Sequence, residues 1–336
     1  MTVLLLCALL LQESKEIDDL VRDRIEADDP GVAVLAIKGG KVIHKKGYGS
    51  ATLDPRAPIG ADTLFELASC SKQFTALGIL ILRDKDRLKL DDDVRTWLQE
   101  LKEHDPERPI RVNDLIHHTS GLPDYLAFGG EKMVENNEEA LKLIATRKLE
   151  FPTGAKWKYS NTNYCLLALI IERLTKKSFG TFMKEELFGP LKMKSAGVLE
   201  KGVELKKAAL GYASEGSTFE KVVVPFLTTG DGGVYLSLDD WVAFERGLPG
   251  LLKKGTLEEA RTPGRFDNGK PHDYAFGVAV QKDKGKTVLF HEGEWAGFRA
   301  IYLRGIEDDF AVIVMSNRSD LNLSGMAQGI AGKLLE

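Results

Sequence analysis

Apolar residues fill almost every position from Phe74 to Leu82, and most of those from Tyr164 to Lys176. A helix that is hydrophobic all round is buried, so both runs are predicted as core helices. Nearer the N-terminus the pattern changes. Val32–Lys38 and Lys41–Tyr48 read as strands joined by Gly39-Gly40, a hairpin signal. Ahead of them, Ile17, Leu20, Val21 and Ile25 recur at helical spacing and predict a helix over Glu16–Ala27. A stretch punctuated by Pro and Gly, Asp54–Gly60, precedes the first all-apolar run.

From Leu88 to about Phe188 the signals are mostly helical, broken by loops at Pro106–Pro109, Gly121–Asp124 and Pro152–Gly154. Leu199–Val224 has no clear period. Gly230-Asp231-Gly232-Gly233 is a tight turn, and Asp239–Leu248 reads as a helix. The last third reads as strands at Tyr274–Gln281, Thr287–Glu292, Phe298–Arg304 and Phe310–Asn317, then a helix over about Leu321–Leu335. Strands at both ends with helices between them imply one sheet built from both termini around an inserted helical region.

Composition adds exclusions. The chain has 336 residues, long for one core and short for two independent domains. With 43% hydrophobic and 29% charged residues, disordered and fibrous classes drop out. Net charge is −4 with both signs mixed, so no basic block points to nucleic acid. Val3–Leu11 is too short to span a bilayer, which needs about 20 residues, but suits the apolar part of a signal peptide. Residues 1–14 are therefore expected to be a signal peptide that sends the protein to the periplasm or outside; otherwise it is cytoplasmic. Three cysteines give no disulfide framework, and Cys70 beside Ser69 reads as a small buried residue.

The candidate chemistry begins at Ser69 and Lys72, three apart at the head of the first apolar run. One helical turn would put the hydroxyl and the amine on one face, beside the unpaired N–H groups of a helix start. Those are a nucleophile, a proton acceptor and an anion site. A Ser-x-x-Lys spacing also arises roughly once by chance in such a chain, as an N-capping serine with a solvated lysine.

Four further segments decide the matter: His117-His118-Thr119-Ser120-Gly121-Leu122-Pro123, Trp157-Lys158-Tyr159-Ser160-Asn161, Gly230–Gly233, and His291-Glu292-Gly293-Glu294-Trp295-Ala296-Gly297-Phe298. With Ser69–Lys72 they make the chain resemble the serine β-lactamase and penicillin-binding-protein superfamily. The likeness is strongest to the branch that holds class C β-lactamases, DD-peptidases, D-aminopeptidases and β-lactamase-like esterases. Tyr-x-Asn matches Tyr159–Asn161, and His291–Gly293 stands where many members have Lys-Thr-Gly.

The resemblance implies an α/β (α+β) fold of the β-lactamase/transpeptidase kind. It has an antiparallel sheet from both chain ends flanked by helices, with residues 15–75 and 225–336 as the α/β part and 76–224 mainly helical. It implies Ser69 as nucleophile with Lys72 as partner, Tyr159 as the base that later protonates the leaving group, and Asn161 as a substrate-amide ligand. His291 and Gly293 would line the substrate, and the N–H groups of Ser69 and Glu294 would form the oxyanion hole. No cofactor or metal is implied.

Chemistry leaves the base open. Lys and Tyr normally titrate near 10, and lowering either by ~3 units takes about 4 kcal/mol, so one shared proton and coupled titration are expected. His291 replaces a fixed cation with a ring that is mostly neutral at pH 7. A charged hydrogen bond contributes ~1.5–3 kcal/mol against ~0.5–1.5 for a neutral one. That disfavours β-lactams and DD-peptides and favours esters and amides, unless Arg299 restores a cation.

Other motifs fall away. His291-Glu292 lacks the second histidine of a zincin, Gly285-Lys286-Thr287 lacks the first glycine of a P-loop, and no Gly-x-Ser-x-Gly is present. His117-His118 are adjacent and diverge on any regular element. The expected function is hydrolysis of a small ester, amide or peptide through an acyl-serine. The alternatives are a DD-carboxypeptidase or weak β-lactamase of the cell envelope, and a non-catalytic scaffold. The partner is a small-molecule or peptide substrate, with no nucleic acid and no stable membrane span; the oligomeric state is left open.

Overall fold

The computed structural model describes residues 3–336 apart from 106, 129–133, 217 and 224–227, and only the backbone of 3–11. The apolar run Val3–Leu11 is therefore seen as main chain alone, in the first turns of helix α1 (Val3–Arg22). Ile25 follows α1 in a turn, short of the expected helix end at Ala27. The chain reverses there, because Asp29 O accepts the Ser50 N–H at 2.7 Å and fixes the entry to the sheet.

That sheet joins both ends of the chain, as its strand pattern implied. Strands β1 (Val32–Lys38) and β2 (Lys41–Tyr48) lie beside β3 (Ala279–Asp283), β4 (Lys286–Trp295), β5 (Phe298–Gly305) and β6 (Phe310–Ser316), in the order β3-β4-β5-β6-β1-β2. Every neighbouring pair is antiparallel, with Val32 opposite Ser316 on one side and Tyr48 on the other. Because β1 is covered on both faces, all its apolar residues are buried whatever their parity. Val32, Val34 and Ala36 share one core with Ile17 and Val21 of α1 and the C-terminal helix, Leu323–Leu335. Ala33, Leu35 and Ile37 belong to the larger core on the opposite face.

The larger core holds the two all-apolar helices, α2 (Lys72–Asp84) and α3 (Asn161–Thr175). Phe74 of α2 packs its ring on Phe188, Trp241 and Phe244, each such side chain contributing ~1.5–3 kcal/mol by burial. Gly78 sets how closely the helices approach: a Cβ there would stand 3.1 Å from the Ile171 and Phe182 side chains. Trp241 and Phe244 come from α4 (Leu238–Gly247), one residue from its expected start.

One expected strand is shorter than predicted. Tyr274–Gln281 becomes extended only at Ala279, because the preceding loop crosses the first turn of α2. Gly277, at φ +77°, touches the main chain there so closely that a Cβ would collide with Gln73 N. Phe65–Glu66, Val234–Leu236 and Gly197–Val198 form a small second sheet that brings the Gly230–Gly233 turn to the same place.

Candidate active site

Ser69 sits in a 3-10 turn, Ala68–Ser71, that runs directly into α2. Ala68 before it is left-handed, at φ +46°, a conformation costing a non-glycine residue ~1 kcal/mol or more. Glu66 holds the turn in place: its carboxylate accepts the Ala68 N–H at 2.8 Å and the Gly233 N–H at 2.7 Å. Burial raises the Glu66 pKa to about 7 although both N–H groups oppose it.

Lys72 is fully buried one turn later, and its Nζ has three acceptors. It donates to Ser69 Oγ at 3.1 Å, Asn161 Oδ1 at 2.8 Å and the Asp231 main-chain oxygen at 2.9 Å. A neutral amine here would keep its two N–H bonds on Asn161 and Asp231 and turn its lone pair to the serine hydroxyl. A proton can thus pass from Ser69 to Lys72 without either side chain moving.

Asn161 opens α3, and Asp124 fixes its amide by accepting from the main-chain N at 3.0 Å and from Nδ2 at 2.9 Å. Tyr159, two residues earlier, lays its ring 4.9 Å from Lys72 Nζ. The Tyr159 hydroxyl is buried and has no hydrogen-bond partner among the described residues. Such a group costs ~1–3 kcal/mol, and in a native site it asks for an explanation.

His291, Gly293 and Glu294 lie on β4, which passes against the Ser69 turn. A Cβ on Gly293 would collide with Leu67 O and stand 3.0 Å from Ser69 N, so only glycine permits this approach. His291 faces Tyr159 with ring centres 6.1 Å apart. Its Nδ1–H donates to Glu292 O at 2.6 Å, and its Nε2 accepts the Tyr274 hydroxyl at 3.0 Å. Burial, then the nearby Lys72 charge, push its pKa down to about 3, so the ring is neutral and both nitrogens are engaged by the protein. Arg299 pairs with Glu294 at 2.9 Å. Cys70 is buried, donates to His291 O at 3.2 Å, and has its thiol pKa raised by burial, which suits packing and not attack.

Several contributors carry no sequence signal of their own. Asp231 reaches Lys72 through its carbonyl, while its buried carboxyl accepts the Tyr125 hydroxyl at 2.8 Å. Glu66 and Asp124 act on backbone amides, and only their proximity in sequence to Ser69 and to the Gly121–Pro123 turn could have flagged them. His117 and His118 diverge: His117 Nδ1 meets Tyr274 O at 3.1 Å, whereas His118 lies against Tyr159. Among the described residues no three His, Cys, Asp or Glu side chains gather as a metal site.

The pattern of the β-lactamase family matches residues 17–333. The chain belongs to the β-lactamase family. It is 32% identical over 312 residues to penicillin-binding protein 4* of Bacillus subtilis, covering 85% of this chain and 68% of that protein. It is 31% identical over 314 residues to a D-aminopeptidase of Gluconobacter oxydans, covering 91% of this chain and 59% of that one. The chain thus spans about two thirds or less of these relatives' length. The octameric penicillin-binding protein homologue from Pyrococcus abyssi superposes with a TM-score of 0.79 at 25% identity, over 100% of this chain and 77% of that one. The family is one of serine hydrolases, and this member carries its fold over the matched length. No described helix is long and apolar enough to cross a membrane.

Proposed function

We propose that this β-lactamase-family protein hydrolyses small ester or amide substrates through an acylated Ser69. Lys72 and Tyr159 move the serine proton to the leaving group, Asn161 orients the substrate amide and Lys72, and the N–H groups of Ser69 and Glu294 hold the oxyanion. The observation that carries this reading is the 3.1 Å bond from Lys72 Nζ to Ser69 Oγ, with the other two partners of the amine both carbonyl oxygens.

The substrate is uncharged near the scissile bond. Glu66, Asp231 and Glu294 line the cavity at Ser69 beside apolar Leu126, Leu199 and Trp295. His291 is neutral, and the guanidinium of Arg299 is taken by Glu294. A substrate carboxylate would meet acids there and, among the described residues, no free fixed cation, which weighs against β-lactams and D-Ala-D-Ala peptides. The likeness to a penicillin-binding protein keeps the DD-peptidase or weak β-lactamase reading as the second one. The apolar run Val3–Leu11 supports export, which N-terminal sequencing of the secreted protein tests.

A fluorophosphonate probe followed by mass spectrometry tests the nucleophile: an adduct on Ser69, absent in Ser69→Ala, is expected. Short-chain p-nitrophenyl esters and amino-acid amides, run beside a chromogenic cephalosporin and a D-Ala-D-Ala peptide, separate the substrate classes. No adduct and no turnover would leave the non-catalytic scaffold.

A further inference from the structure

His118 brackets Tyr159. Its own carbonyl accepts the Lys158 N–H at 3.1 Å, and its Nδ1 accepts the Ser160 N–H at 3.3 Å, so the residues on both sides of the tyrosine are tied to one histidine. Asn163 Nδ2 donates to the same Nδ1 at 3.0 Å, and its Oδ1 takes the Ser120 hydroxyl at 2.6 Å, which fixes the amide's orientation. The ring lies on the Tyr159 ring with centres 4.6 Å apart, and Tyr274 and Tyr164 back it at 4.7 and 5.2 Å.

Two features separate this from ordinary packing. With Nδ1 accepting, the ring proton sits on Nε2, which is buried and has no hydrogen-bond partner among the described residues. His118 is also left-handed, at φ +56°, an uncommon conformation for any side chain and one that only glycine adopts without strain. A side chain kept in spite of a bare N–H and an unfavourable backbone is held for what its Nδ1 face and ring do. Both act on Tyr159.

We infer that His118 is a positioning residue that sets the height and tilt of the Tyr159 phenol beside the Lys72–Ser69 pair. It touches neither substrate nor reacting atoms; it holds the loop on either side of the phenol and supports the ring between them. This rests on the reading of Tyr159 as a proton carrier.

The substitutions that test it follow from the backbone. His118→Gly removes the ring and suits φ +56°, so the backbone is not strained. His118→Asn also tolerates that conformation and puts Oδ1 where Nδ1 was, keeping an acceptor for Ser160 and Asn163. Ester hydrolysis by His118→Gly should fall about 10- to 100-fold, chiefly in kcat, the scale of a misplaced catalytic group. His118→Asn should recover to within about threefold of wild type.

In a Tyr159→Phe background the hydroxyl being aimed is gone, so adding His118→Gly should cost less than about twofold. The same loss in both backgrounds would mean a general structural role and overturn the inference. A crystal structure of His118→Gly reads the pose without turnover: Tyr159 spread over more than one position supports the inference, and a single wild-type position overturns it. If wild type itself takes no probe and turns over no ester, the reading of Ser69 fails, and the Tyr159 density alone decides this one.

Discussion

Asn161 Oδ1 stands 2.8 Å from Lys72 Nζ, and Asp124 accepts both from the amide nitrogen behind it and from the Asn161 main-chain N–H. The amide is locked with its oxygen toward the lysine. Removing that acceptor in Asn161→Ala takes away one charged hydrogen bond of ~1.5–3 kcal/mol, so kcat/KM for a p-nitrophenyl ester should fall about 10- to 100-fold. An unchanged rate would take Asn161 out of the machinery.

Tyr159→Phe should separate stability from activity. The lost hydroxyl is buried with no partner among the described residues, so its removal should leave the fold equal or more stable by ~1 kcal/mol, a rise of about 1–2 °C in Tm. Acylation by a fluorophosphonate should slow at least about 100-fold if the phenol carries the proton. A near-normal rate passes that role to Lys72.

Much of this was legible from spacing, because spacing is local. The runs at Val32–Lys38 and Lys41–Tyr48 became strands over those same residues, and Ser69 and Lys72, three apart, meet at 3.1 Å. What the sequence could not carry is contact made through backbone atoms or across long separations. The third partner of Lys72 is a main-chain oxygen, which any residue at position 231 would present. The Nε2 of His291 is filled by Tyr274, which arrives through a loop that reads as strand until Gly277 is seen pressed on α2. Apolar alternation could not report that contact, since it records burial and not what lies opposite.

Charge at the mouth of the site should set substrate choice. Glu294 and Arg299 are both partly exposed, so their pair contributes little to stability, ~0–1 kcal/mol. Glu294→Gln would release the guanidinium and should raise turnover of carboxylate-bearing substrates relative to neutral esters, with Tm nearly unchanged. His291→Lys should move the ratio the same way. A ratio of ester to cephalosporin turnover that ignores both changes would sink the uncharged-substrate reading.

Buried neutral rings make acid a denaturant here. Burial pushes the pKa of His117 to about 4 and that of His291 to about 3, against 6.5 for a free ring. Between those values and 6.5 the unfolded chain binds protons that the folded one refuses. Each ring's contribution is therefore complete above about pH 6.5 and declines as pH falls, by up to about 1.4 kcal/mol per pH unit. Glu66 works in the opposite sense: raised to about 7 from 4.5, it stabilises fully below 4.5 and loses that contribution as pH rises through 7. Urea midpoints at pH 5 and 7 should show a shallower acid loss in His291→Gln than in wild type. Equal slopes would mean that the ring titrates normally.

Gly293→Ala tests the approach of β4 to the nucleophile. The new methyl would collide with Leu67 O and lie 3.0 Å from both Ser69 N and the Ala68 side chain, all of them on the turn that presents the hydroxyl. Overpacking of this kind costs ~1–3 kcal/mol, because either the strand or the turn must shift. A shift of even about 1 Å between the Ser69 and Glu294 N–H groups would spoil a shared oxyanion site, where one donor is worth about 10²–10³ in kcat. Ester turnover should therefore drop at least about 100-fold while the protein still melts cooperatively a few degrees lower. A variant with the same Tm loss but near-normal kcat would show that the two amides do not act on one oxygen.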